Sequence, residues 1–589
     1  MISFTNRLAL NFLALVAWSG IGLDSVVAQS RPLDKALDQM RNVIFGGERE
    51  STDAGIASDE REEETDVATG DSTPFGVDLR SIHLISDQSK VTMNPTVGSV
   101  PVTVEEGLPA PIGLDAQLEF YVGEPMSMAL LSTIQKDIVV AWRDSDYPLI
   151  DVYFPEQNIS AGKLQIVVKE SVLGEKSFEG AVISRENYLI ENLRINEGDR
   201  ISRRVVESDL DWLNENPIRQ VSLIYERGEG DGTSDIQLQV VENEPFSAYV
   251  GFSNTGVDFT GEEEWSFGFA WMNPGKQEHL IGYQFATDME WEDLQAHSLR
   301  YEAFLPWRHT LSILAAHVSS ESETAAPLNA SGLSRQLSVE YRVPLARPKF
   351  NRAWRHYLTF AFDYKSTDTD LLSGGLTFFG NDVEVGQFRG LYEVRVPDEK
   401  GFTLMSVGLV GSPGDMFSNN DDTSFGIARL SSEADYWYAI AEFERLQQLP
   451  NDFTLRVDLQ ARGSGDRLPS TELLLAGGYA TVRGFDESLA RGDSGILSTV
   501  ELITPDFSIF PNQDDTWNGF IFWDAAVLDI SDAVVGEVSP SLQSLGLGLN
   551  TRVGDRGFAR AAYGWAVEDH GLPSGTSDGK FHFGLTLTY

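Results

Sequence analysis

A chain of 589 residues without a single cysteine does not rely on disulfides, and it is too long for one ordinary core, so two or three units are expected. Its 44 basic residues face 89 acidic ones, a formal net charge of -45 that excludes nucleic acid as a partner, because phosphate binding needs clustered lysine and arginine. The 33 Phe, 17 Tyr, 12 Trp and 53 Gly suit an all-β membrane protein better than a helical one.

Arg7, the mostly apolar run 8–23 and the small residues Val26-Val27-Ala28 predict a signal peptide over 1–28, cut before Gln29. An anchor helix fits less well, since the apolar run is interrupted and no basic flank follows it. No later segment has the roughly 18 uninterrupted apolar residues of a spanning helix. Leu33, Ala36, Leu37, Met40, Val43 and Ile44 recur at helical spacing and predict a short amphipathic helix. Glu48, Glu50, Asp53, Asp59, Glu60, Glu62, Glu63, Glu64, Asp66 and Asp71 follow with little apolar company. Such a stretch repels itself, so residues 29–74 are read as a helix and a disordered acidic linker.

From Phe75 the pattern changes. Residues 77–85 read as a strand. Residues 127–142 read as a helix with Met128, Leu131, Ile134, Ile138 and Ala141 on one face, stopped by Tyr147-Pro148. Strands follow over 149–154 and 163–168. The pattern then recurs: a short helix over 184–193 with Ser184 as its cap, and a second over 202–216 with Val205, Val206, Leu210 and Leu213 inward and Pro217 ending it. A hairpin over 220–225 and 235–241 completes the unit. Two small β/α units in tandem, 75–170 and 171–243, are the natural parse. Helices on one face of a small sheet leave an edge open, and open edges recruit extended peptides.

After Pro245 the period becomes two. Trp265, Phe267, Phe269 and Trp271 alternate with Ser266, Gly268 and Ala270, while Phe453, Leu455, Val457, Leu459 and Ala461 alternate with Thr454, Arg456, Asp458 and Gln460. A fat face against a face that carries mid-strand charges suits a barrel with lipid outside and water inside. At about 20 residues per strand and connection, residues 244–589 hold roughly 16 antiparallel strands. Phe581, Phe583, Leu585, Leu587 and Tyr589 form a last alternating strand, suited to closing the sheet and to being recognised for insertion. The polar stretch 411–424, with Asn419-Asn420-Asp421-Asp422, reads as a solvated outer loop in preference to a calcium site.

One stretch departs from the strand pattern: Gly477-Gly478-Tyr479-Ala480-Thr481-Val482-Arg483-Gly484-Phe485, then Gly492-Asp493-Ser494-Gly495 and Glu501-Leu502. A lone arginine among glycines and aromatics reads as the tip of a loop, around 476–495, that folds back into the pore. The alternative is an ordinary surface cation. Downstream, Phe520, Phe522, Asp524 and Ala526 share the lumen phase of a strand whose other face is Ile521, Trp523, Ala525 and Val527. A carboxylate is tolerated on the lumen side and not on the lipid side.

With these motifs the chain resembles the outer-membrane transporters of two-partner secretion, the haemolysin secretion/activation proteins of the Omp85 superfamily. The resemblance covers most of the mature chain. It rests on Val482-Arg483-Gly484-Phe485, on Gly492-Asp493-Ser494-Gly495 with Glu501-Leu502, and on Tyr147-Pro148-Leu149, Tyr153-Phe154-Pro155 and Ile159-Ser160-Ala161-Gly162. It implies two POTRA domains in the periplasm and a 16-stranded barrel in the outer membrane. It also implies a pore-loop lock in which Arg483 forks onto Asp524, with Phe522, Asp524 and Ala526 as the inner-wall motif. Alanine stands at 526 where the family has glycine.

The family's first helix can sit in the pore, which carries over to residues 32–45. The implied partners are a secreted exoprotein captured by the POTRA domains, outer-membrane lipid, and the barrel assembly machinery during insertion. Nothing resembles a nucleotide loop, the histidines lack metal spacing and no Ser/His/Asp order stands out, so no cofactor, metal or enzyme activity is expected. The alternatives are an Omp85-type assembly factor, which needs more POTRA units than 75–243 hold, and a small-solute porin or surface barrel, which needs none.

Overall fold

A computed structural model describes residues 56–57 and 71–589, apart from 93–99, 144, 231, 258–259, 324–327, 349, 352, 374–375, 511–514, 555 and 573–577. The expected signal peptide, the amphipathic helix and most of the acidic linker lie outside the described residues. The chain divides into two compact units that meet in sequence between Glu242 and Asn243.

The first unit opens with β1 (Ile56–Ala57) and holds two small α+β sheets. In the first sheet β2 (Ser81–Ile85) pairs in parallel with β3 (Val102–Val104) and with β5 (Lys163–Glu170), while β4 (Ile150–Tyr153) pairs antiparallel with β5. Helices α1 (Leu114–Glu119) and α2 (Met128–Arg143) cover it. Leu131, Ile134, Ile138 and Trp142 form the buried stripe of α2, packed on Ile82, Leu84, Leu164 and Ile166. Met128, expected on that stripe, is exposed at the first turn, and Trp142 supplies the bulk at the other end.

In the second sheet the order is β1, β7 (Arg219–Arg227), β8 (Thr233–Glu242) and β6 (Val172–Glu179). Helices α3 (Glu186–Glu191) and α4 (Arg203–Leu213) accompany it, and Val206, Leu210 and Leu213 pack on Val221, Leu223 and Leu238. The expected Ser184 cap is not formed. The Glu242 carboxylate accepts from the backbone N–H groups of Val182 (2.7 Å), Ile183 (2.6 Å) and Ser184 (2.6 Å), and α3 starts two residues later. The Ser184 hydroxyl meets Arg219 Nη1 (3.3 Å), so it is engaged away from the first turn of α3. The β7 edge is not open, because backbone from the linker runs parallel along it, Ile56 opposite Leu223 and Ala57 opposite Ile224.

The two sheets are joined through Asp146. Its carboxylate accepts from Ser202 Oγ (2.9 Å), Arg204 N (3.1 Å) and Arg204 Nη2 (2.9 Å), at the amino end of α4 where partial positive charge gathers. Arg200 adds an ion pair to Glu170 (3.1 Å). Partial burial pushes the Asp146 carboxyl up, but its hydrogen bonds from Arg204 and Ser202 outweigh this and hold it below its ordinary 3.8. A depressed carboxylate contributes stability above its unfolded value and loses it as pH falls through the folded one. The joint is therefore expected to be complete at neutral pH and to loosen below 3.8. Asp146→Asn is expected to loosen it at pH 7, read as faster amide hydrogen exchange in the first turn of α4 with the two sheet cores unchanged.

Among the described residues, sixteen strands of the second unit close into one barrel. They are β9 (Phe246–Ser253), β10 (Glu264–Met272), β11 (His279–Asp288), β12 (Leu294–Phe304), β13 (Thr310–Glu323), β14 (Leu328–Pro344), β15 (Arg355–Ser373), β16 (Leu376–Asp398), β17 (Gly401–Pro413), β18 (Asp435–Gln448) and β19 (Thr454–Ser464). A short ribbon of β20 (Leu474–Ala476) and β21 (Ala490–Gly492) interrupts the series. Then come β22 (Ser494–Ile503), β23 (Asp515–Asp529), β24 (Ser541–Val553), β25 (Gly557–His570) and β26 (Lys580–Thr588). All neighbours are antiparallel, and β26 pairs with β9 to close the ring. Closure leaves no edge, so every wall strand has hydrogen-bonding neighbours on both sides within lipid.

The alternation is as expected: Ile521, Trp523 and Val527 of β23 are exposed on the lipid side, while Phe520, Phe522, Asp524 and Ala526 are buried within. Phe581, Leu585 and Leu587 face outward from β26, with His582 and Thr586 buried between them. Tyr589 exchanges both backbone hydrogen bonds with Ala248 (2.9 and 2.8 Å). The stretch 411–424 is not a plain loop. It ends in helix α5 (Asp422–Ala428), because Asp421 caps the N–H groups of Thr423 (2.8 Å) and Ser424 (3.0 Å) and Phe425 is buried.

Candidate functional site in the barrel lumen

Between β19 and β22 the chain turns back into the barrel. The ribbon of β20 and β21 carries it inward, and residues 477–489 form its tip. Val482, Arg483, Gly484 and Phe485, expected at this tip, meet Phe522, Asp524 and Ala526 on the wall. Arg483 donates from Nε to Asp524 Oδ2 (2.7 Å) and from Nη2 to Asp524 Oδ1 (2.7 Å), the forked geometry that a planar guanidinium allows. Its backbone N–H donates to the same carboxylate (3.1 Å). The guanidinium lies 3.5 Å from the ring centroid of Phe522, so the aromatic of the wall motif covers the cation's face. Val482 and Phe485 are buried with Leu497, Ala526, Leu528 and Leu542. The methyl of Ala526 is thus part of the apolar seat of the tip, and alanine fits where the family has glycine.

Three partners were not read from the sequence. Glu501, on the lumen phase of β22, accepts from Arg483 Nη1 (2.5 Å), so one guanidinium faces two buried carboxylates. The sequence motif includes Glu501 with Leu502, but not its pairing with Arg483. His582 of β26 accepts from the Gly484 N–H (3.2 Å), which requires an unprotonated Nε2. Nothing in the alternation of β26 singles it out. Gly564 of β25 touches the tip backbone directly: a Cβ there would lie 2.7 Å from the Arg483 carbonyl, and one on Gly484 would lie 2.8 Å from the Gly564 carbonyl. Gly484 also has φ 95, a left-handed backbone that side chains resist. Close approach of the two chains therefore needs both glycines.

Other side chains also hold the tip. Glu487 accepts from the Tyr479 N–H (2.7 Å), and the Arg560 guanidinium lies 3.6 Å from the Tyr479 ring centroid. Lys580 bridges Asp486 (2.7 Å) and Glu262 (3.0 Å).

A closed sixteen-stranded barrel with a loop seated in its lumen, preceded in the chain by POTRA-type sheets, defines an outer-membrane barrel protein of the Omp85 class. The sequence matches the family described as haemolysin secretion/activation protein ShlB/FhaC/HecB over residues 232–549 and the ShlB-type POTRA domain over residues 108–171. The first match alone covers more than half of the chain, which therefore belongs to the haemolysin secretion/activation protein family, with its barrel in the outer membrane and its POTRA domains in the periplasm.

Among curated relatives, the outer membrane transporter CdiB-2 of Burkholderia pseudomallei is 22% identical over 415 residues, 66% of each chain. The heme/hemopexin transporter protein HuxB of Haemophilus influenzae is 21% identical over 400 residues, 65% of this chain and 67% of that one. These matches span about two thirds of the relatives' length. Among solved structures, CdiB from Escherichia coli superposes with a TM-score of 0.70 at 17% identity, covering 88% of this chain and 92% of that one. CdiB from Acinetobacter baumannii gives 0.61 at 16% identity, covering 87% and 90%.

Removing one partner from a buried ion pair costs about 3–5 kcal/mol, because the remaining charge stays desolvated. Arg483→Ala leaves both Asp524 and Glu501 in that state and is expected to lower the unfolding midpoint of the detergent-solubilised barrel by several degrees. Gly484→Ala is expected to do the same without removing a charge. Both are read by heat-modifiable mobility on gels.

Proposed function

We propose that the barrel is a passive protein-conducting pore that exports a partner exoprotein from the periplasm to the cell surface, and that Arg483 with Asp524 holds the loop in the lumen when the pore is at rest. The observation that carries the reading is the Arg483 fork, buried in the lumen and made only if the loop is seated there. The relatives bearing transporter names point the same way. The POTRA domains receive the unfolded partner by strand addition at a sheet edge. The β7 edge is paired with β1, which leaves the two-residue β1 itself and β6, β3 and β4 as edge strands among the described residues. Folding of the partner outside supplies direction, and the reading requires neither cofactor nor catalytic residue. Where a large exported β-helix-type protein is encoded beside this chain, deleting the chain is expected to abolish its surface export; unchanged export would sink the proposal.

The outward residues of β26, together with its closing contact on β9, support a further role for the terminal strand. Phe581, Phe583, Leu585, Leu587 and Tyr589 are proposed to be recognised by the barrel assembly machinery, after which the same side chains meet lipid. Phe583→Ser combined with Tyr589→Ser is expected to lower the amount of folded barrel in the outer-membrane fraction severalfold, measured by quantitative immunoblotting.

A further inference from the structure

The loop is held at a second place, nearer its root. Glu472 is fully buried, and its carboxylate accepts from Lys365 Nζ of β15 (2.6 Å), Gln387 Nε2 of β16 (3.2 Å) and Tyr438 OH of β18 (2.9 Å). Arg462 of β19 donates to the Glu472 carbonyl and lies 4.6 Å from the Tyr438 ring centroid. Leu468, Leu473 and Leu475 bury themselves among Val383, Val385, Phe425 and Tyr436. Where the loop returns to the wall, Asp493 accepts from Arg429 (Nη2 to Oδ2, 2.8 Å), from Leu468 N (2.7 Å) and from Ser531 N (2.9 Å).

The wall strands that hold the Glu472 side chain are β15, β16 and β18. Those that hold the tip at Arg483 and Gly484 are β22, β23, β25 and β26. The loop is thus strapped to two different arcs of the barrel: Lys365, Gln387 and Tyr438 hold Glu472 on one, and Asp524, Glu501 and His582 hold Arg483 and Gly484 on the other.

Between the anchors the backbone has a neck. Gly477 (φ 109), Gly478 (φ 92) and Ser488 (φ 56) all adopt left-handed conformations, and the Ser488 N–H donates to the Gly477 carbonyl (3.3 Å). The β20–β21 pairing stops immediately on the root side of this neck, at Ala476 opposite Ala490. Withdrawing the whole loop breaks both anchors. Pivoting the lobe 479–487 at the neck breaks only the tip contacts and leaves Lys365 and Glu472 paired. Movements of this kind are absorbed by a few backbone positions at the ends of elements.

We propose that Glu472 is a positioning residue that keeps the root of the loop fixed on the β15–β18 wall, while the lobe 479–487 is the part that moves. The inference rests on the pore reading above, but its test does not require export. The chain has no cysteine, so a single introduced thiol reports alone. The full chain is expressed in cells with Val482→Cys at the tip or Leu473→Cys at the root, and labelling by a membrane-impermeant maleimide is followed in time. Both side chains are buried in the seated loop. Local opening at the tip alone is expected to label Val482→Cys at least about tenfold faster than Leu473→Cys. Equal rates, or faster labelling at the root, would overturn the proposal.

Adding Glu472→Gln, which keeps the shape and removes the charge, is expected to raise Leu473→Cys labelling severalfold. Tyr438→Phe, which removes one donor and strands no charge, is expected to raise it less, and it serves if the first variant fails to fold as judged by heat-modifiable mobility. No change at the root with a folded variant would remove Glu472 from the anchor. Secretion of the neighbouring exoprotein, measured in the same cells, reports separately on the pore reading.

Discussion

A desolvated guanidinium between two carboxylates is the constraint around which the barrel interior is arranged. Arg483, Asp524 and Glu501 are all buried, and no single member is tolerable there without the others. The arrangement demands a wall strand with its carboxylate on the lumen phase, an aromatic over the cation, and two backbones in contact at Gly484 and Gly564. It also demands that the loop arrive from a defined direction, which the ribbon of β20 and β21 provides. Any displacement of the loop leaves these charges unpaired, so the pairing favours the seated position.

The barrel makes such a site affordable because its polarity is reversed from that of a soluble sandwich. The large apolar side chains, such as Trp523, Leu545 and Leu587, face lipid. The space inside is left for small residues, ion pairs and a loop. Closure of β26 onto β9 satisfies the wall backbone, so the side chains of the lumen are not needed to hold the sheet together. They are available to hold the loop, at Asp524 and Glu501 on one arc and at Lys365, Gln387 and Tyr438 on another. Conformational freedom then concentrates in the neck between the two arcs.

Whatever depends on local periodicity is legible in the order of the residues. The period-two pattern from residue 246 onward fixes which side chains of a strand share a face, and a face that pairs aromatics outward with Arg456 and Asp458 inward admits one environment. The stripes of α2 and α4 follow from helical spacing, except that on α2 Met128 at the first turn is exposed and Trp142 near the last turn is buried. The fork between Arg483 and Asp524 was legible because the phase of β23 and the family motif agree.

The tertiary structure decided the pairings between distant residues whose types are locally unremarkable. Ser184 does not cap α3 because its hydroxyl meets Arg219 across the fold, while the end of β8 brings Glu242 onto the N–H groups of Val182, Ile183 and Ser184. A polar stretch becomes α5 because Phe425 finds a buried seat. Glu501 joins the fork and Glu472 anchors the root only because barrel closure brings β15, β18, β22 and β23 around one loop. A charge in a strand announces which face it occupies. Only the closed ring determines which opposite charge shares that interior.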